Sequence, residues 1–452
     1  MQQFFNWEEV QLHHFYIYYF LALIVAAFLV FRSNAKYKIE LFFISFYLLT
    51  GNINELLTIE IPGLSFFKIQ PIRFIFLLLL FLIVRKLWFS NEKTGWGTRE
   101  KIPLFEIALY AYVSLLIISV LVNSADIGIK EVQSKTIDAL TFLILILGLR
   151  LMADKPSYLL IGKSMIIGAV ASSVVSLIQL FVNPYFLRIG DDRIAFNGVL
   201  RSNGIFEAEY FNSYYLIIAL VWTLITIKKK SLKVPLICLF LLGVLSSFQR
   251  MSWIILLLVL ITYAVYIKKI SFGKLVWTGL SSIVILLSLS IFFYQDIMNS
   301  SLVKERLTDS IDGRKGYYKL VIDNIGDKPI FGYGDFKNEV YYVNMLRVTN
   351  SRSRASAESG DLHSGYFTAM FLYGIPAFVC FILFVMLSAF YFARLYQNNL
   401  YFIIPLLVSF IYIVGNLTNT FLFLKYISVL YALHLGIGLG IKQIEERKLN
   451  EN

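Results

Sequence analysis

The chain has 452 residues, of which 58% are hydrophobic, 16% aromatic and only 15% charged. That balance excludes an ordinary soluble domain, which could not hide so much apolar surface, and it points to a membrane protein. The formal charge of +12 is not a nucleic-acid footprint, because the excess cations sit on short connections between apolar runs, where they set topology and meet anionic lipid.

Taken in chain order, apolar runs long enough to cross or nearly cross a bilayer lie near 15–32, 39–50, 72–88, 103–122, 136–152, 158–182, 211–227, 234–247, 252–267, 276–294, 363–392, 400–415 and 419–440. The expected fold is therefore all-α: a polytopic integral membrane protein of about 12–13 transmembrane helices. Residues 1–294 form a bundle with an outward loop at 183–210, residues 295–362 one large extracytoplasmic loop, and residues 363–452 the last spans and a tail.

Basic clusters orient the array. Arg85-Lys86 to Lys101, Lys228-Lys229-Lys230 with Lys233, Lys268-Lys269 with Lys274, and Lys442 to Lys448 are expected to face the cytoplasm. The alternate segments, 183–210 and 295–362 among them, then face outward. Met1 to His14 carries Glu8 and Glu9 but no Lys or Arg, which fits an outside N-terminus and argues against a cleaved signal peptide. Cys238 and Cys380 lie inside apolar runs, where a packing role is expected.

The outward segments hold the candidate chemistry. The 183–210 loop carries Arg188, Asp191-Asp192-Arg193 and Arg201-Ser202-Asn203-Gly204-Ile205-Phe206. Arg250 sits in Ser246-Ser247-Phe248-Gln249-Arg250, a very short turn at the bilayer edge. A charge there is costly unless it snorkels, pairs or faces a polar cavity. Gly313-Arg314 opens an amphipathic segment in which Tyr318, Val321, Ile322 and Ile325 recur at helical spacing and would pack on the membrane domain. Arg314 would stand in its first turn, where it suits an anion rather than the helix dipole.

Pro329-Ile330-Phe331-Gly332-Tyr333-Gly334 is not a nucleotide fingerprint, since it lacks the further glycine and a preceding strand. It reads as a tight turn that lets backbone pass close to a neighbour. The polar run 350–359 reads as a solvated loop or a lid. His363 stands where the large loop enters the next apolar run, and a neutral imidazole at that depth can accept a proton. The other histidines are His13, His14 and His434.

These segments together resemble the O-antigen ligase and O-antigen polymerase superfamily. His363-Ser364, nine residues, then Gly374-Ile375-Pro376-Ala377 is similar to the pattern that opens the helix after the family's large loop. Arg314 followed by Pro329-x-x-Gly332-x-Gly334 resembles the segment before it. Ser247-Phe248-Gln249-Arg250 and Arg201-x-x-Gly204-x-Phe206 are similar to two further segments, in the same order. The sequence departs from the pattern at Ala377, which replaces a glycine, and at Glu207-Ala208-Glu209-Tyr210, where Pro-Asn often follows.

The resemblance implies an inverting membrane glycosyltransferase, type C-like, in a bacterial cytoplasmic (inner) membrane with its site on the extracytoplasmic side. It implies a polyprenyl-diphosphate-linked oligosaccharide donor and a glycan acceptor, with a chain-length regulator and a flippase as possible partners and no nucleic acid. Arg201, Arg250, Arg314 and Arg193 would hold the diphosphate, with Arg250 and Arg314 also stabilising the leaving group. His363 would orient or deprotonate the acceptor hydroxyl. Neither metal nor cofactor is expected; Asp191-Asp192 reads as loop surface or as an ion pair with Arg193. A polymerase is favoured over a ligase because the large loop balances ten acidic against ten basic residues. A lipid-linked sugar transporter or flippase, and an envelope scaffold, are the readings from other classes.

Overall fold

A computed structural model describes residues 2–51, 59–60, 68–89, 102–188, 194–196, 199–270, 318–336, 362–397, 399–422 and 426–451. The helices are α1 (Gln2–Phe31), α2 (Lys38–Thr50), α3 (Pro71–Phe89), α4 (Leu104–Val122), α5 (Ser124–Ile127), α6 (Ile129–Met152) and α7 (Lys155–Phe181). They continue with α8 (Glu209–Thr226), α9 (Lys230–Ser246), α10 (Arg250–Thr262), α11 (Gly365–Leu395), α12 (Ile403–Gly415) and α13 (Tyr426–Glu451). Two short antiparallel hairpins, β1–β2 (Ile59–Glu60 with Lys68–Ile69) and β3–β4 (Ile194–Phe196 with Val199–Leu200), are the strands among the described residues. The protein is thus an all-α polytopic membrane protein. Among the described residues, five stretches are long and apolar enough to span: His13–Phe31, Leu104–Val122, Lys155–Phe181, Gly365–Leu395 and Tyr426–Glu446. Helices stand at every other expected span except 276–294, which lies outside the described residues, as does most of 295–362.

The helices pair closely. α4 runs along α11, α6 along α13, and α7 packs on α2, α8 and α9. Small residues permit this: a Cβ at Gly162 would lie 2.2 Å from the Trp222 ring, and one at Gly436 would lie 2.6 Å from the Ile146 carbonyl. α8 is enclosed, with every residue from Phe211 to Leu224 buried. Its polar atoms are satisfied inside protein. The Trp222 indole donates to His434 Nε2 at 2.9 Å, and His434 Nδ1 lies 2.6 Å from the Leu430 carbonyl. His434 is therefore a satisfied core residue with a fixed tautomer.

The two ends of the bundle differ. One gathers Lys86, bonded to the Leu151 carbonyl, Arg150, paired with Glu106, and Lys155, over the Tyr401 ring. Lys233, bonded to the Leu224 carbonyl, lies there too. The other end collects the 199–208 segment, the turn before α10, residues 318–336 and the start of α11.

Three expectations need correction. α6 begins at Ile129, not near 136, because Lys130, Glu131 and Lys135 interrupt the apolar run without ending the helix. α13 begins at Tyr426, not 419, since a polar turn with Asn416 buried follows α12 and ends the helix there. Within the amphipathic segment, residues 318–324 are helical and Val321 is buried as expected, but Ile322 is exposed and Leu320 is buried in its place.

Candidate functional site

The polar end of the bundle is built around a break in α11. Gly374 adopts φ +86°, outside helical geometry, and Pro376 follows. Ile375 N–H donates to the Pro329 carbonyl at 2.8 Å, not to Phe371 one turn back. The freed Phe371 carbonyl accepts from Tyr333 N–H at 3.1 Å. Pro376 has no N–H, so the Leu372 carbonyl is free to accept from Gly334 at 2.7 Å and from Ser119 Oγ at 3.1 Å. The Pro329–Gly334 segment thus replaces the helix bonds that Gly374 and Pro376 remove.

The glycines permit this contact. A Cβ at Gly374 would lie 2.2 Å from the Ile330 carbonyl oxygen, and one at Gly332 would lie 2.5 Å from that of Phe371. Tyr333 stacks on Phe371 with centroids 4.5 Å apart and donates its hydroxyl to the Asn324 carbonyl at 3.0 Å. Burial raises the Tyr333 pKa, with the Asp327 charge adding, which keeps the phenol a donor. Lys135 pairs with buried Asp335 at 2.9 Å, and Lys328 reaches both Asn123 and Asp126 at 2.9 Å. The neighbour expected for Gly332-Tyr333-Gly334 is therefore α11 itself.

His363 precedes the helix on which this segment docks. Tyr318 stacks on Phe367 at 4.4 Å, so the segment that follows Arg314 lies on the first turn of α11. His363 has φ +50°, an uncommon conformation for a residue with a Cβ. Its neighbours are fixed by the 416–421 turn. Gly365 N–H is shared between the Asn416 and Asn419 carbonyls at 2.9 and 3.0 Å, and a Cβ at Gly365 would meet the Asn416 side chain. Ser364 caps the helix, with its Oγ 3.5 Å from Phe367 N and 3.2 Å from the Asn416 carbonyl.

The same turn reaches the second basic residue. Asn419 Nδ2 donates to the Tyr214 hydroxyl at 2.9 Å, and Thr418, Gln249 and Ser252 also neighbour that hydroxyl. Gln249 and Ser252 bond to each other. Arg250, the first residue of α10, stands between them and is exposed. Phe248, two residues earlier, has φ +50°. His363 and Arg250 thus leave two left-handed turns tied to one buried polar cluster.

The third basic residue joins through the backbone. Ser202 N–H donates to the Ser246 carbonyl at 3.2 Å, laying the Arg201 segment on the turn before α10. Arg201 Nη1 pairs with Glu209 Oε1 at 2.6 Å, and Glu209 opens α8, five residues before Tyr214. Arg201 Nε is buried and has no hydrogen-bond partner among the described residues. Buried Arg188 donates to the Pro184 and Arg201 carbonyls at 2.6 and 2.8 Å, fixing the loop from behind. Gln179 does the same for Asn203 and Gly204, accepting both amides at 3.0 and 2.9 Å.

Arg201, Arg250 and His363 therefore belong to one connected network at one end of the bundle. Arg193, Arg314 and the Asp191-Asp192 pair lie outside the described residues. Sequence reasoning missed Glu209, Tyr214, Gln249, Asn416 and Asn419 as parts of that network. Glu209 had a signal, since it fell where the sequence departed from the resembled pattern. The asparagines had none, being amides within or beside apolar runs.

Residues 234–382, a third of the chain, match the O-antigen ligase family model. The matched stretch contains Arg250, Arg314, His363 and both halves of the α11 contact, while Arg193 and Arg201 precede it. No curated protein matches the chain. The match supports the O-antigen ligase/polymerase superfamily and, coarsely, an activity of that kind.

Proposed function

We propose that this chain is a surface-polysaccharide polymerase. It moves a glycan from a polyprenyl-diphosphate donor onto a sugar hydroxyl of a lipid-linked repeat unit, with inversion and without a metal. The observation that carries this reading is Arg201: a guanidinium held by Glu209 on one nitrogen, with a second, buried N–H left without an acceptor. A buried donor without an acceptor calls for an explanation, and an anion's oxygen would satisfy it.

Arg250 and Arg314 would complete the diphosphate clamp. Arg250 lies beside the Tyr214 cluster, and Arg314 four residues before Tyr318, which stacks beside the start of α11. In the reaction, the acceptor oxygen attacks the anomeric carbon as the bond to the diphosphate oxygen breaks. The bonding pair leaves with the diphosphate, where guanidinium groups stabilise the growing negative charge. His363 orients the hydroxyl and takes its proton as the new bond forms. This site would face the extracytoplasmic side of a bacterial inner membrane, because the Lys86–Arg150–Lys233 end carries the cations of the cytoplasmic face. Arg193, a chain-length regulator and a flippase remain parts of the same proposal.

The ligase reading has the family description in its favour. The polymerase reading rests on charge balance, now reinforced by an acidic partner on Arg201, where a phosphate-rich lipid-A core would favour an unopposed basic face. Purified protein given only a polyprenyl-diphosphate-linked repeat unit separates them. A ladder spaced by one repeat supports the polymerase. No ladder, with transfer appearing once lipid-A core is added, makes it a ligase.

A further inference from the structure

At the end of the bundle opposite the network, a cavity of about 550 Å³ opens between the C-terminal end of α1 and the N-terminal end of α7. Arg32, Lys155 and Lys163 contribute cations to its lining, and among the described residues no Asp or Glu lines it. Phe28, Leu29 and Leu159 make the apolar part of the wall. Asp154, the acid next to Lys155 in sequence, is occupied in capping α7, where it accepts from Ser157 N–H at 2.6 Å.

Lys163 is the unusual member. It lies eight residues into a 27-residue apolar helix, about 12 Å from Lys155 along the axis. It makes no hydrogen bond or ion pair among the described residues. A lone ammonium at that depth is costly unless an anion or a water-filled cavity compensates it. Arg32 and Lys155 rest over the Phe28 and Tyr401 rings at 5.5 and 5.8 Å, which leaves their N–H groups for another acceptor.

We infer that this cavity binds the phosphate headgroup of an anionic phospholipid from the adjoining leaflet. The three cations would contact the phosphate oxygens, and the acyl chains would run along the outer face of α1. Phe20, Ile24 and Phe28 are exposed there, forming an apolar strip that leads into the cavity. That strip favours a lipid over a soluble phosphate. Basic pockets between spanning helices are suited to such headgroups. The inference requires only that the bundle is embedded in a membrane, and it is independent of the reaction at the other end.

The test uses the full chain in mild detergent with an equimolar mixture of phosphatidylglycerol and phosphatidylcholine, with retained lipid read by native mass spectrometry. The wild type should retain phosphatidylglycerol preferentially. Lys163→Gln and Arg32→Gln should each lower that preference about fivefold, and Lys163→Arg should keep it. Lys228→Gln, which removes a cation at the same end but outside the cavity, should change nothing. Monodisperse elution of each variant controls for folding. Equal retention of both lipids by the wild type, or an equal loss in Lys228→Gln, would overturn the site. Displacement of the lipid by inorganic phosphate would overturn its lipid identity.

Discussion

The Gly334 amide donates to the Leu372 carbonyl at 2.7 Å, filling the bond that Pro376 cannot make. Residues 329–334 are thereby held by α11, nine residues after His363. A glycine-rich loop segment and a broken helix, far apart in sequence, are two halves of one contact. Their chemistry is structural; what they position is the His363 turn.

Substitution at this contact should act through the loop. Pro376→Ala raises helix propensity and restores an N–H, yet that N–H would compete with Gly334 for Leu372. A loss of about 1 kcal/mol in stability is expected, with faster hydrogen exchange at Gly334. Gly374→Ala should cost more than ~2 kcal/mol, because the residue combines positive φ with backbone contact at 2.2 Å. Thermal unfolding ranks the two. A Pro376→Ala protein with a higher Tm and unchanged exchange would contradict this account.

Glu209→Gln tests the role of Arg201. It leaves a partly buried guanidinium without its counter-charge, which should lower stability by about 3 kcal/mol. If the diphosphate binds that guanidinium, added donor should restore more stability in Glu209→Gln than in the wild type. Equal donor-induced Tm shifts in both proteins would separate Arg201 from the donor.

If the arginines carry the anion as proposed, His363→Ala should reduce turnover by a hundredfold or more while donor binding persists. Binding measured by donor-induced thermal shift, beside single-turnover rates, distinguishes the roles. Lost binding with unchanged chemistry in the bound state would move His363 to the diphosphate.

Orientation follows from where the cations gather. A single cysteine placed in 228–233 should resist an impermeant thiol reagent in intact cells, while one in 350–359 should react. The reverse pattern would put the network on the cytoplasmic face.

The sequence revealed the spanning helices because each contains a long apolar run. It misplaced the start of α6, where Lys135 is charged yet pairs with Asp335 from another segment. It misplaced the start of α13 because the 416–422 turn contains Leu417, Phe421 and Leu422 beside Asn416 and Asn419, so hydropathy carries straight through it. At the site, residue types pointed to Arg201, Arg250 and His363, because charge and imidazole at a bilayer edge need a reason. Partners were not legible. That Glu209 would face Arg201, or that Asn419 would bridge Gly365 and Tyr214, depends on contacts between helices that no local spacing encodes.

The central claim is that arginines hold a lipid diphosphate while a sugar hydroxyl displaces it. Release of free polyprenyl diphosphate, measured in chelator with purified protein and lipid-linked repeat, tests this most directly. The wild type should release one diphosphate for each glycosidic bond formed. Arg250→Ala and Arg314→Ala should release none while remaining folded, with Lys at either position rescuing poorly because it lacks the guanidinium fork. Release at the wild-type rate from either alanine variant, or no release from the wild type until a divalent cation is added, would contradict the account.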